Sequence, residues 1–174
     1  INIWNVLQHF YPYFDVAKTN WDDDLKLAIK ENYSIKDANS YADLLKRLTA
    51  KVKDGHINIW DKGNNLQYFP PIAWKWAGKD LVITSIMDST LKMKKGDIVK
   101  RINGEEPSKY FERININISA ATKGYLYHRA QTESLIGQKG KPLDLTMENG
   151  EKHKLSRNIN SSAYYPSLSK RDTI

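Results

Sequence analysis

The sequence contains no cysteine, which excludes a disulfide scaffold, a thiol nucleophile and cysteine-ligated zinc. It also lacks long apolar runs. The mean hydropathy is −0.63, and no segment approaches the ~20 apolar residues that a membrane-spanning helix requires. Disorder is disfavoured, because 11% of the residues are aromatic and five are tryptophan. With 174 residues and 40% hydrophobic content, the chain is large enough for one domain or two small ones.

Positive charge is concentrated in the second part of the sequence. Residues 1–60 carry eight acidic and eight basic side chains, so the whole net charge of +7 comes from residues 61–174. No block of five or six like charges occurs, since the densest cluster, at residues 92–95, contains three lysines. A solvated, lysine-rich surface is therefore favoured, and no nucleic-acid partner is predicted.

The amino-acid composition changes between Trp60 and Lys79. All five tryptophans lie in the first 76 residues, and the sequence after them is richer in lysine and glycine. This change predicts a domain boundary. The chain begins at Ile1, where the apolar pattern starts at once, and we expect it to be part of a longer protein.

Three helices are predicted in the first 60 residues. Apolar residues at three- and four-residue spacing indicate a first helix that ends near Tyr11, because a proline follows. Asn20 is expected to cap the second helix, whose first turn holds three aspartates. The third helix is predicted to begin at Ser40, with Gly55 as the left-handed residue after its C-terminus.

The pattern then changes to strands. Residues 56–60 alternate with period two, and Asn103-Gly104 and Asn149-Gly150 are typical of tight turns. The predicted fold class is α+β. Further strands are predicted at residues 72–77, 80–87, 96–102, 143–147 and 151–158, and helices at residues 108–114 and 120–136.

Common catalytic and metal-binding motifs are missing from the sequence. The four histidines include no His-Glu-x-x-His motif and no pair at i, i+4, so no metal site or cofactor is predicted. The Ser-x-x-Lys pairs at Ser89 and Ser167 are expected by chance in a lysine-rich chain. No nucleophilic serine is identifiable, and we expect this chain by itself to be inactive as a peptidase.

One local feature points to catalysis. Asp54-Gly55-His56 places an imidazole where a helix ends and a strand is predicted to begin, near the negative end of a helix dipole. This setting suits a general base. From local features alone, a histidine that only neutralises the helix C-terminus is the favoured interpretation.

A second feature is the segment 95–107. It contains a Lys-Gly-Asp turn, an apolar strand and the Asn103-Gly104 turn, and the apolar strand 81–86 precedes it. In combination, these parts resemble the PDZ domain of bacterial proteases.

With this feature included, the chain resembles the N-terminal part of a family S41 serine peptidase of the tricorn-like branch. The resemblance covers about residues 1–160 and includes Trp4-Asn5-Val6, the segment 10–15 and Asp54-Gly55-His56. It implies a small N-terminal three-helix subdomain (1–60) and a PDZ-like, partly open β-barrel with two helices (66–160). Residues 161–174 would be a linker toward an absent catalytic domain.

The resemblance also implies a function. His56 corresponds to a catalytic histidine, whereas the serine nucleophile and its acidic partner would lie in the absent domain. The implied reaction is peptide hydrolysis through an acyl-enzyme, and the implied partners are a polypeptide substrate and the chain's own C-terminal catalytic domain. The implied location is the bacterial cell envelope, periplasmic or lipid-anchored.

The PDZ-like region implies a peptide-binding strand formed by Ile72, Ala73, Trp74, Lys75 and Trp76. The loop before it contains Pro70 and Pro71, which have no N–H group for a carboxylate, so free peptide C-termini are expected to bind poorly. The alternative function is a non-catalytic PDZ-type peptide-binding or scaffolding module in which His56 is structural.

Overall fold

The computed structural model describes residues 1–59 and 67–169. The chain forms two compact units. The first combines the described residues of 1–63 with residues 115–127, and the second combines those of 64–114 with residues 128–169. The predicted domain limits at 60 and 66 lie outside the described residues and stay predictions.

The first unit begins with four helices rather than the predicted three. They are α1 (Asn2–Phe10), α2 (Phe14–Ala17), α3 (Trp21–Asn32) and α4 (Ala38–Ala50). Helix α1 ends before Pro12, as predicted, and the additional helix α2 is a single turn. Asn20 caps α3, since its side-chain oxygen accepts the N–H of Asp23 at 3.3 Å.

Three local predictions for this unit are wrong. Helix α4 begins at Ala38 instead of Ser40, because the Asp37 carboxylate caps it by accepting the N–H of Ser40 at 2.9 Å. The left-handed residue after α4 is Lys53, with φ of 55°, and not Gly55. Residues 56–59 form a loop rather than a strand, while Trp60, the last residue of the predicted strand, lies outside the described residues.

Aromatic side chains hold these helices together. The indole N–H of Trp4 donates to the carbonyl of Trp21 at 3.0 Å, and the indole of Trp21 donates back to the carbonyl of Trp4 at 3.2 Å. The hydroxyl of Tyr11 donates to the carbonyl of Val52 at 2.9 Å. Trp21, Leu48 and Val52 form the buried centre. The segment that follows α4 is therefore fixed to α1 and α3.

The second unit is built on a five-stranded antiparallel sheet in the order β2-β3-β4-β5-β6. A two-stranded sheet pairs β1 with β7. The strands are β1 (Tyr68–Phe69), β2 (Ile72–Ala77), β3 (Asp80–Ile86), β4 (Ile98–Ile102), β5 (Pro142–Met147), β6 (Lys152–Ser156) and β7 (Ile159–Asn160), and the remaining helices are α5 (Pro107–Asn115), α6 (Lys123–Glu133) and α7 (Ser161–Ser169).

The α+β class is confirmed, and the larger sheet stays open, with β2 and β6 as its edges among the described strands. The Asn149-Gly150 turn joins β5 to β6, with Gly150 at φ of 86°. Asn103 and Gly104 also turn the chain, at φ of 51° and 85°. However, this second turn closes only a single bridge between Ile102 and Glu105, because helix α5 begins at Pro107 and β4 pairs with β3 and β5 instead.

The described part of the predicted linker 161–174 forms helix α7, and the expected connection to a catalytic domain stays a prediction. Tyr164 is 1% exposed, and its ring stacks on Phe69 with the centroids 4.0 Å apart. Its hydroxyl donates to the carbonyl of Ile72 at 2.9 Å. Burial of this aromatic side chain fixes the helix against β1 and β2. Residues 170–174 of the predicted linker lie outside the described residues.

Candidate functional site

His56 lies in a loop shortly after α4, and its side chain is fully exposed. Both its backbone N–H and its ring are bound to the same carboxylate oxygen. The N–H donates to Oδ1 of Asp54 at 2.9 Å, and the ring atom Nδ1 lies 2.9 Å from that oxygen. Because Nδ1 faces the carboxylate, Nε2 is the ring nitrogen left for chemistry with another group.

The carboxylate of Asp54 is stabilised in its charged form. The hydrogen bond from the backbone N–H of His56 lowers the pKa of Asp54 below its usual value, and partial burial opposes this effect. The hydrogen bond and the charge of the His56 ring lower this pKa further. An ionised carboxylate can only accept hydrogen bonds, so Asp54 presents an acceptor to the imidazole.

The segment 115–127 fixes this loop within the first unit. The N–H of Asp54 donates to the hydroxyl oxygen of Ser119 at 2.9 Å, and that hydroxyl donates to the carbonyl of Thr49 at 3.2 Å. Ser119 is 3% exposed. Its hydroxyl is committed to backbone groups, so it is a structural cross-link between α4 and the loop and is unsuited to act as a nucleophile.

Gly55 has a packing role that differs from the predicted one. The hydroxyl of Tyr125 donates to the carbonyl of Gly55 at 3.3 Å. A Cβ atom added at Gly55 would lie 2.7 Å from the Tyr125 ring, closer than such atoms approach without rearrangement. Sequence reasoning missed Ser119 and Tyr125, because each contacts the loop from at least 65 residues away in the chain.

The predicted peptide-binding strand corresponds to β2 in the second unit, whereas His56 belongs to the first. Ile72 and Trp74 are buried, Ala73 and Trp76 are half-buried, and Lys75 is exposed. The indole of Trp74 donates to the carbonyl of Gln131 and to the hydroxyl of Ser134, both at 3.0 Å. The side chains of Ile72 and Trp74 thus belong to the core of the second unit.

Backbone groups of β2 are already engaged by helices of the same unit. The N–H of Trp76 donates to the side-chain oxygen of Gln131 in α6 at 3.2 Å. The carbonyl of Ile72 accepts from Tyr164 of α7 at 2.9 Å. An extended peptide that accepts the N–H of Trp76 must displace Gln131, and one that donates to the carbonyl of Ile72 must share that oxygen with Tyr164.

The loop before β2 also has little capacity to bind an anion. The N–H of Tyr68 donates to the carbonyl of Gly137 at 3.1 Å, and the N–H of Ile72 donates to the carbonyl of Pro70 at 2.8 Å. Pro70 and Pro71 have no N–H to offer. Convergent N–H donors, which a peptide carboxylate requires, are therefore not available from these residues.

Within residues 1–59 and 67–169, no group of three or more His, Cys, Asp or Glu side chains is arranged to hold a metal ion. No helix in the same ranges combines the length and the apolarity needed to cross a membrane.

Solved structures of CPAF, a chlamydial serine protease of the tricorn-like family, resemble this chain. Mature CPAF complexed with lactacystin has a TM-score of 0.64 and 11% identity, over 88% of this chain and 32% of that one. Mature CPAF has the same TM-score and 10% identity, over 95% and 36% of the two chains. The chain has a protease-related fold.

A serine-to-alanine mutant of CPAF gives the same TM-score, with 11% identity over 97% of this chain and 36% of that one. The chain thus spans about a third of the length of the CPAF chains that it matches. No family model matches the sequence. No curated protein matches it either.

Proposed function

We propose that this chain is the N-terminal and PDZ-like portion of an S41-like serine endopeptidase and that it contributes the catalytic His56. In this proposal, a serine and an acidic partner come from a catalytic domain that follows in the complete protein. His56 takes the proton of the serine as it attacks the peptide carbonyl and returns it to the leaving amine. No metal or organic cofactor takes part.

The observation that carries the proposal is the environment of the two ring nitrogens of His56. A catalytic histidine needs one ring nitrogen held by an acceptor and the other free to receive a proton. His56 has this arrangement, with Nδ1 at 2.9 Å from the Asp54 carboxylate and a fully exposed side chain. The protease-related fold of the chain supports the same function.

The alternative function, a PDZ-type binding or scaffolding module, is less well supported. Gln131 and Tyr164 engage backbone groups of β2, the strand that would bind a peptide. In our proposal, the groove at residues 72–76 is either vestigial or binds extended internal segments of a polypeptide, including the catalytic domain. Binding at the N–H of Trp76 would displace Gln131. The bacterial cell envelope is the proposed location.

The test is the peptidase activity of the complete protein with His56→Ala. Loss of a general base is expected to reduce turnover by a factor of about 10² to 10⁴, with little change in stability, because the side chain is fully exposed. The matched control is His9→Ala, which removes another exposed histidine of the first unit and should leave turnover unchanged.

Wild-type turnover in the His56→Ala protein would reject the proposed role of His56. The 174-residue chain alone should show no labelling by a fluorophosphonate, because the proposed nucleophile lies outside it. Covalent labelling of a serine in this chain would mean that the nucleophile had been placed in the wrong domain.

A further inference from the structure

Strand β6 is an open edge of the five-stranded sheet. Among the described strands it pairs only with β5, and this pairing fixes the direction of its backbone groups. At the start of the ladder, the N–H of Met147 donates to the carbonyl of Glu151 at 2.9 Å. Because backbone groups alternate in direction along a strand, residues 153 and 155 also bond to β5. The N–H and carbonyl groups of Lys152, Lys154 and Ser156 therefore point away from the sheet.

These outward groups have no hydrogen-bond partner in the part of the chain that the structure describes. The other edge of the sheet differs, because the side chain of Gln131 accepts the N–H of Trp76 in β2. A row of unpaired N–H and carbonyl groups is a template on which another extended chain can pair. Strand β6 therefore offers an edge for strand pairing that β2, at Trp76, does not.

The side chains along this edge are basic. Lys152 and Lys154 are exposed and share one face of the sheet, since alternate side chains of a strand point to the same side. Neither lysine forms an ion pair within the described residues, although Lys154 lies opposite Asp144 in the register of β5. By contrast, Lys100 of β4 contacts the carboxylate of Glu148 at 2.9 Å. Two positive charges are thus available to a partner along β6.

We propose that β6 is a docking edge for an extended, acidic segment of another polypeptide. The segment adds to the sheet as a further strand and places carboxylates beside Lys152 and Lys154. Two requirements define this occupant, which are backbone groups that continue the ladder and negative side chains at every second position. The edge belongs to the second unit, and its use does not depend on the proposed role of His56.

Charge excludes a second copy of this chain as the occupant. Pairing of β6 with β6 of another molecule would bring lysines beside lysines, and like charges on neighbouring strands destabilise their pairing. Lysine on an edge strand is a common means by which proteins prevent such self-association. Toward an acidic segment the same charges are attractive, because carboxylates at i and i+2 lie next to the two lysines.

The opposite face of β6 favours apolar or β-branched residues between the carboxylates. Leu155 is 3% exposed and His153 is half-buried, so this side of the strand belongs to the core. A partner residue on this side extends a largely apolar surface. Valine and threonine suit such a position, since they fit a pleated, half-buried surface.

The test uses the 174-residue chain and two short peptides with blocked ends, in which threonine alternates with glutamate or with lysine. Amide hydrogen exchange measured by NMR reports which N–H groups each peptide protects. The glutamate peptide should slow exchange at Lys152, Lys154 and Ser156 and leave Trp76 unchanged, and added salt should weaken its binding. The lysine peptide should bind at least about tenfold more weakly.

Two pairs of variants separate the effect of charge from that of backbone pairing. Lys152→Glu combined with Lys154→Glu should reverse the preference, so that the lysine peptide binds more tightly. Lys92→Glu combined with Lys95→Glu makes the same change at exposed positions of the second unit and should keep the preference for glutamate. Ser156→Pro removes one outward N–H but none of the ladder to β5, and it should weaken binding about fivefold, whereas Ser156→Ala should not.

Equal affinity for the two peptides, or no binding of either, would overturn the inference and leave the lysines only the role of preventing self-association. Protection at Trp76 instead of at β6 would assign peptide binding to β2. Slow exchange at Lys152 and Lys154 in the free chain, with a molecular mass that rises with concentration, would show that a second copy covers the edge. Either of these two results would also reject the proposal.

Discussion

Gly55 and Tyr125 are in direct contact although 70 residues separate them. The phenol hydroxyl donates to the glycine carbonyl at 3.3 Å, and the space where a Cβ would lie at Gly55 is within 2.7 Å of the Tyr125 ring. The glycine therefore allows the ring to pack on the backbone immediately before His56. Glycine is needed here because the Tyr125 ring lies so close to the backbone of residue 55. A positive φ is not the reason, because Gly55 is not among the residues with a left-handed backbone.

Substitution of this glycine should disturb the loop that carries His56. Gly55→Ala is expected to destabilise the chain by about 0.5–1 kcal/mol, less than overpacking of a core does, because the new methyl group displaces the ring of Tyr125, a side chain that is 41% exposed and can shift. The control is Gly124→Ala in α6, where a Cβ meets no atom within 4 Å and alanine favours the helix. Urea denaturation measures both, and equal midpoints for the two variants would contradict the role of this contact.

Tyr164 should stabilise the second unit through its hydroxyl. Tyr164→Phe leaves the carbonyl of Ile72 without its buried donor and is expected to cost about 1–2 kcal/mol of unfolding free energy. Tyr165→Phe is the control, because its side chain is 48% exposed and its substitution should change stability by less than about 0.5 kcal/mol. Thermal or urea unfolding measures the difference.

Tyr164 should also make the stability of the second unit depend on pH. Burial raises the pKa of Tyr164 well above its usual value of about 10. The unfolded chain thus releases this proton first as the pH rises. Stability from Tyr164 is present below about pH 10 and should fall above it. The loss should be smaller in Tyr164→Phe, although burial also raises the pKa of Tyr110. An identical alkaline loss in both proteins would contradict this origin.

Substitution of Arg157 should destabilise the second unit. It is 6% exposed, and its guanidinium donates to the carbonyls of Leu135 and Pro142, each at 2.8 Å. Arg157→Met keeps much of the side-chain volume but leaves these carbonyls unpaired, with an expected loss of about 2–4 kcal/mol. Arg101→Met, at an exposed site, should stay within about 0.5 kcal/mol. Equal stability of the two variants in urea would show that the hydrogen bonds of Arg157 do not stabilise the second unit.

Peptides with a free C-terminus should bind no more tightly than their amidated forms. The loop before β2 has two prolines, and the N–H groups of Tyr68 and Ile72 already donate to backbone carbonyls. Isothermal titration with matched pairs of carboxylate and amide peptides measures this. A peptide that binds tightly and loses most of its affinity on amidation would show that a carboxylate site exists.

Local sequence determined the elements whose cause lies within a few residues. Pro12 ended α1, Asn20 capped α3, and the Asn149-Gly150 turn joined two strands, all as predicted. Where two local signals competed, the prediction failed. Both Asp37 and Ser40 are good helix caps, and the structure uses the carboxylate of Asp37, with Ser40 as a donor to it.

The candidate site was only partly predictable for a related reason. The Asp54-Gly55-His56 sequence located the imidazole, and the short separation makes its contact with Asp54 a local one. The residues that fix this loop, Ser119 and Tyr125, belong to a segment whose sequence predicts a helix from residue 120 but gives no indication of a contact with Asp54 or Gly55. Their contribution depends on hydrogen bonds across 65 and 70 residues.

Only the tertiary structure shows that the last described segment, residues 161–169, is a packed helix and that the side chain of Arg157 is buried. The Ser- and Tyr-rich composition of 161–169 is typical of a linker, but a stacking contact between Tyr164 and Phe69 makes it a packed helix. Arg157 is buried because Gly137 leaves room for its side chain, as a Cβ there would lie 2.5 Å from it. Such burial depends on partners that only folding brings together, so patterns of neighbouring residues do not encode it.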